Sequence, residues 1–112
     1  MKVILFGVIL KDETVLDDVL SIAIECGAGK AYLLEGTKLE HLLTYDMPIF
    51  MGAFPQHSDR GINRKIVFGF FASNKDMEEF VRILKSEHIG SEKVSVFSTE
   101  VKLEIGDIFE WN

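Results

Sequence analysis

A single cysteine, Cys26, stands in a chain of 112 residues, so no disulfide can form within it, and the sequence suits a reducing cytoplasm. Prolines are scarce too: Pro48 and Pro55 are the only two, and both fall in one short stretch. Positive charge is outnumbered, with 12 Lys and Arg against 18 Asp and Glu, for a formal charge of −6. A protein built to grip nucleic acid presents a basic face, and no basic cluster occurs here. Long hydrophobic runs are missing as well. The N-terminal MKVILFGVIL falls well short of the roughly 20 apolar residues that cross a bilayer, so direct membrane insertion is not expected. That run lacks a small-residue cleavage site and leads into a polar helix start, which makes it a buried first strand and not a signal peptide.

What remains is the composition of one globular domain, residues 1–112, with 47% hydrophobic and 27% charged residues. Nine phenylalanines are more bulky apolar surface than a core of this size readily hides. Burial between subunits would absorb the excess.

The chain reads as two halves with one grammar. Residues 3–10 form a β-rich apolar run. The period then changes, and Val15, Leu16, Val19, Leu20, Ile22, Ala23 and Cys26 make a wide helical stripe. Thr14 with Asp17 resembles a capping box, and Gly27 or Gly29 can end this helix. Ala31-Tyr32-Leu33-Leu34 supplies a second strand. In the second half, residues 66–71 are a strongly β-prone run. Ser73 with Asp76 opens a helix with the stripe Met77, Phe80, Val81, Leu84, and Glu78 and Arg82 have the spacing of an ion pair. Gly90 is the expected stop. Residues 94–97 form a fourth strand, and Val101, Leu103 and Ile105 alternate as a short fifth.

Two such halves give an α+β fold, a ferredoxin-like βαββαβ sandwich: an antiparallel sheet, both helices on one face, and an extra short C-terminal strand. Val67 and Phe71 point to one side of the third strand, Phe68 and Phe70 to the other. A sheet apolar on both faces needs a second partner, which argues for an oligomer. The connection at 37–63 is far longer than an ordinary loop. Its middle, MPIFMGAFPQHSDRG, is apolar and irregular up to Phe54, then polar from Gln56. The apolar part is expected to dock on a surface and the tip at 56–61 to move.

Three local features resemble the PII signalling proteins. The stretch LDDV, Leu16-Asp17-Asp18-Val19, opens the first helix with wording very similar to theirs. IGSEKVSVF, residues 89–97, resembles their B-loop and the strand after it. The long insertion falls where they carry the T-loop. The resemblance covers almost the whole chain and implies a divergent PII-like protein. It would be a homotrimer with clefts between subunits, each holding a small anionic ligand such as an adenine nucleotide (ATP, ADP or AMP). Gly90 and Lys93 match the B-loop glycine and lysine that handle phosphates. Ser91 stands where the family has Asp, and Glu92 where it has Gly. The paired arginines of the C-terminal loop are replaced by Lys102 alone, near Glu104, and the Gly-Arg-Gln-Lys-Gly run is absent after Glu35-Gly36. The resemblance thus assigns Gly90, Ser91, Lys93 and Lys102 to the ligand. It makes the 37–63 loop, with Tyr45, Gln56, His57, Asp59 and Arg60, the surface that meets a protein target. No catalysis is implied.

Two other readings compete. A CutA-type trimer has the same architecture and an association with divalent metals, but it would need converging ligands. His57 and Asp59 are only two of the three or four a metal site takes, and His41 and His88 lack metal spacing. A small ferredoxin-like enzyme would need an apolar pocket holding Tyr32 or His57. Cys26 lies on an apolar stripe with no basic neighbour to activate it. Ser95, Ser98 and Thr99 have no adjacent His–Asp arrangement.

Overall fold

The computed structural model describes residues 1–37 and 63–109. Strand β1 is Lys2–Leu10, followed by a 3₁₀ turn at Glu13–Val15 and helix α1 at Leu16–Glu25. Strand β2 is Ala31–Thr37 and β3 is Asn63–Phe71. Helix α2, Asn74–Ser86, leads to β4, Val94–Lys102. The sheet order is β2-β3-β1-β4, with β1 antiparallel to both β3 and β4. This is the expected ferredoxin-like arrangement, and each helix links two strands that are not neighbours. By backbone contacts the chain falls into two units, Met1–Leu34 with Lys65–Asn112, and Glu35–Arg64. Most of the second lies outside the described residues.

Register decides which side chains share a face. Ile4, Phe6 and Val8 stand opposite Phe71, Gly69 and Val67 of β3, while Val8 and Leu10 face Val96 and Val94 of β4. These residues meet Val19, Ile22 and Ala23 of α1 and Met77, Phe80 and Leu84 of α2 in one core. At its centre Phe6 stacks on Phe71 with centroids 4.6 Å apart and meets Phe80 at 5.2 Å. Gly69 makes room for that cluster. A methyl group there would stand 2.9 Å from the Phe6 ring and 2.8 Å from the Lys30 carbonyl.

The other face is apolar too, as the alternation in β3 indicated. Leu5, Ile9, Ile66, Phe68 and Phe70 are half-buried on it. Tyr32 stacks on Phe68 at 4.9 Å. The Phe97 ring lies across Gly7, where a methyl group would come within 2.1 Å of it, yet Phe97 remains 51% exposed.

Four local expectations are corrected. The separate fifth strand over 101–105 is not formed among the described residues. Val101 and Lys102 instead complete β4, whose nine residues pair with all nine of β1, from Lys2↔Lys102 to Leu10↔Val94. Leu103 N–H bonds onward to the Met1 carbonyl at 2.8 Å. The side-chain cap in this region is Asp12, not Thr14, and it serves the 3₁₀ turn: its carboxylate accepts from Thr14 N–H at 2.9 Å and from the Thr14 hydroxyl at 2.6 Å, while Val15 at the start of α1 makes no side-chain cap. Arg82 pairs with Glu79, not Glu78, and Glu78 accepts from the Asn74 side-chain amide at 3.2 Å. Finally, α2 is closed by His88 at φ 62°, two residues before Gly90. Ser73 caps the start of α2 as expected, accepting from Asp76 N–H, and Gly27, at φ 97°, closes α1.

Candidate functional site

The turn between α2 and β4 is fixed from both sides. On the helix side, Ile89 N–H reaches back to the Leu84 carbonyl at 2.9 Å and His88 N–H to the Lys85 carbonyl at 3.1 Å. This pair of bonds satisfies carbonyls that the end of a helix leaves open. Leu84 and Ile89 are both buried beside it. Next, the Gly90 carbonyl accepts from Lys93 N–H at 2.9 Å and Val94 N–H at 3.1 Å, which folds residues 90–93 into a tight turn.

On the strand side the turn is fastened to the exit of β1. The Lys93 carbonyl accepts from Lys11 N–H at 2.8 Å and Asp12 N–H at 3.1 Å. The Lys11 ammonium donates to the Ser91 carbonyl at 2.9 Å. Two lysines, Lys11 and Lys93, therefore belong to one small structure with Gly90 and Ser91. Asp12 brings a carboxylate to the same structure through its backbone bond to Lys93. Its pKa is held below the ordinary value by the hydrogen bonds from the Thr14 side chain and backbone, and the positive charge of Lys93 adds to the effect. Glu92 supplies a second negative group, its carboxylate lying against Gly90. A groove of about 370 Å³ opens beside the turn, with Val81, Leu84, Ile89 and Val96 among its apolar walls and Gly90 and Ser91 at its polar end. A polar turn that carries two lysines and adjoins an apolar slot can receive a ligand with an anionic end and a flat apolar body.

Of the residues the sequence singled out, Gly90, Ser91 and Lys93 are brought together. Lys102 is not. It ends β4, opposite Lys2, and lies 3.8 Å from Glu104. Eight residue steps separate it from Val94, or about 26 Å of strand. Lys11 was missed by sequence reasoning. It is 80 positions from Ser91, and only the β1–β4 register, with Leu10 opposite Val94, reveals the proximity. Tyr45, Gln56, His57, Asp59 and Arg60 lie outside the described residues. Tyr32, considered for an apolar pocket, is 44% exposed on the face away from the helices. Among the described residues no group of three or more His, Cys, Asp or Glu is placed to hold a metal ion. Burial, followed by the negative charges of Glu79, Glu25 and Asp76, pushes the Cys26 thiol pKa up, the opposite of what activates a nucleophile.

No protein-family model matches the sequence, and no curated protein matches it. Solved structures do match the fold. A PII-like signalling protein from Thermus thermophilus aligns with a TM-score of 0.57 at 10% identity, over 90% of this chain and 87% of that one. CPII from Thiomonas intermedia, solved bound to ADP, AMP and acetate, aligns with a TM-score of 0.58 at 6% identity, over 93% and 90%. The chain has the fold of the PII-like signalling proteins.

Proposed function

We propose that the protein is a homotrimer that binds a small anionic ligand between subunits, as its resemblance to the PII signalling proteins implies. An adenine nucleotide, AMP, ADP or ATP, is the ligand class. The carrying observation is the turn at residues 90–93, fastened to β1 and flanked by Lys93 and Lys11, in a fold shared with a protein solved with ADP and AMP. Backbone amides in a tight turn with an ammonium group nearby suit a phosphate.

Lys102 enters this reading from a neighbouring subunit, since about 26 Å of strand keeps it from its own turn. The apolar sheet face supports the assembly. Phe68, Phe70 and their neighbours are the type of surface that a small domain buries against another copy. The ligand's presence would be relayed through the 37–63 segment, with Tyr45, Gln56, His57, Asp59 and Arg60 meeting a protein target. The protein is then a cytoplasmic regulator and not a catalyst. No helix among the described residues is long and apolar enough to cross a membrane.

Calorimetric titration with AMP, ADP and ATP, with and without Mg²⁺, tests the proposal. Binding of at least one nucleotide is expected, weakened about tenfold or more in Lys93→Ala, as loss of a charge-assisted bond requires. No heat from any of the three would refute it.

A further inference from the structure

We propose that Glu92 is a charge selector at this turn, favouring a nucleoside monophosphate over the more highly charged di- and triphosphates. The inference rests on the nucleotide reading above. It starts from where the Glu92 carboxylate lies: a methyl group on Gly90 would stand 3.1 Å from Oε2 and 3.5 Å from Oε1. The missing side chain of Gly90 is what would let an anion approach the turn's backbone. A carboxylate already occupies that approach.

The surrounding charges make this matter. Lys11 is drawn onto the Ser91 carbonyl, and Asp12, bonded through its N–H to the Lys93 carbonyl, sets a carboxylate near Lys93 whose pKa that lysine helps to lower. Lys85 contributes from the α2 wall of the groove. Set against these cations are Asp12 and Glu92, so little positive charge is left over. One phosphate can be balanced, but each further phosphate must stand near a fixed carboxylate. Two unit charges about 4 Å apart in water change an affinity about fivefold, and more where water is partly excluded. Glu92 therefore acts on the ratio between ligands of different charge, not only on the strength of binding.

The test is calorimetric titration of the full chain in magnesium-free buffer with AMP, ADP and ATP. Wild type, Glu92→Gln and Glu92→Gly are compared. Glu92 is exposed, so neither substitution endangers the fold. Wild type is expected to bind AMP more tightly than ATP. Glu92→Gln is expected to raise ATP affinity about tenfold and AMP affinity less, narrowing the gap. A wild-type preference for ATP, or an unchanged ratio in Glu92→Gln, overturns the selector role while leaving nucleotide binding intact. A gain seen equally for all three nucleotides, and only in Glu92→Gly, also overturns it, because bulk and not charge would then be responsible. If none of the three proteins binds any nucleotide, this inference and the nucleotide reading fall together.

Discussion

His88 and Gly27 occupy equivalent positions, each in left-handed backbone just past a helix, yet only one of them is glycine. A side chain in that conformation costs roughly 1–2 kcal/mol, part of which glycine gives back through its freer unfolded chain. His88→Gly is therefore expected to stabilise the fold by about 0.5–1 kcal/mol in chemical denaturation, and Gly27→Ala to destabilise it by about 1 kcal/mol or more. A methyl group on Gly27 would meet nothing within 4 Å, so backbone conformation alone would account for that loss. Asp12 gives a prediction with a sign. Its folded pKa lies below the ordinary 3.8 because Thr14 bonds its charged form. Its stabilising contribution is thus present above the unfolded pKa and is lost as pH falls through the folded one. Melting curves of wild type and Asp12→Asn should separate at neutral pH and converge in acid. A constant separation at all pH values would mean that Asp12 acts without its charge.

Strand pairing sets what each element can tolerate. Gly69 in β3 is hemmed by the Lys30 carbonyl and the Phe6 ring, and backbone on one side cannot step aside. Gly69→Ala should cost about 1–3 kcal/mol in urea unfolding, as overpacking does, and an unchanged midpoint would show that the sheet relaxes freely. The order of elements was legible because continuous β-prone apolar runs give way to a 3.6-residue period at Thr14 and again after Ser73. Their ends were less legible. Glycine at 90 looked like the stop for α2, but the bonds from His88 and Ile89 to Lys85 and Leu84 require the left-handed residue at 88, whatever its type. Similarly, β4 looked like two strands because Ser98-Thr99-Glu100 is polar. Full pairing with β1 carries it through. At the site, Gly90, Ser91 and Lys93 could be read as a local motif. Lys11 could not, since its place depends on register between strands at opposite ends of the chain.

For the whole molecule, the separation of Lys102 from the turn at 90–93 is the governing fact. Both can serve one ligand only if they come from different subunits, and the apolar face of the sheet offers the surface to join them. Phe68→Glu places a charge on that face, next to Tyr32. It is expected to shift the proposed trimer of a 12.7 kDa chain toward single copies in sedimentation equilibrium, with loss of nucleotide binding in parallel. The most direct test mixes two defective subunits. Lys93→Ala and Lys102→Ala are each prepared alone, then unfolded and refolded together, and nucleotide binding is measured by calorimetry. If each ligand is held by the turn of one subunit and Lys102 of the next, some clefts in mixed trimers regain both lysines, and binding should return in the mixture at the wild-type affinity. A mixture that binds only as the sum of its two weakened parents would contradict a site shared between subunits.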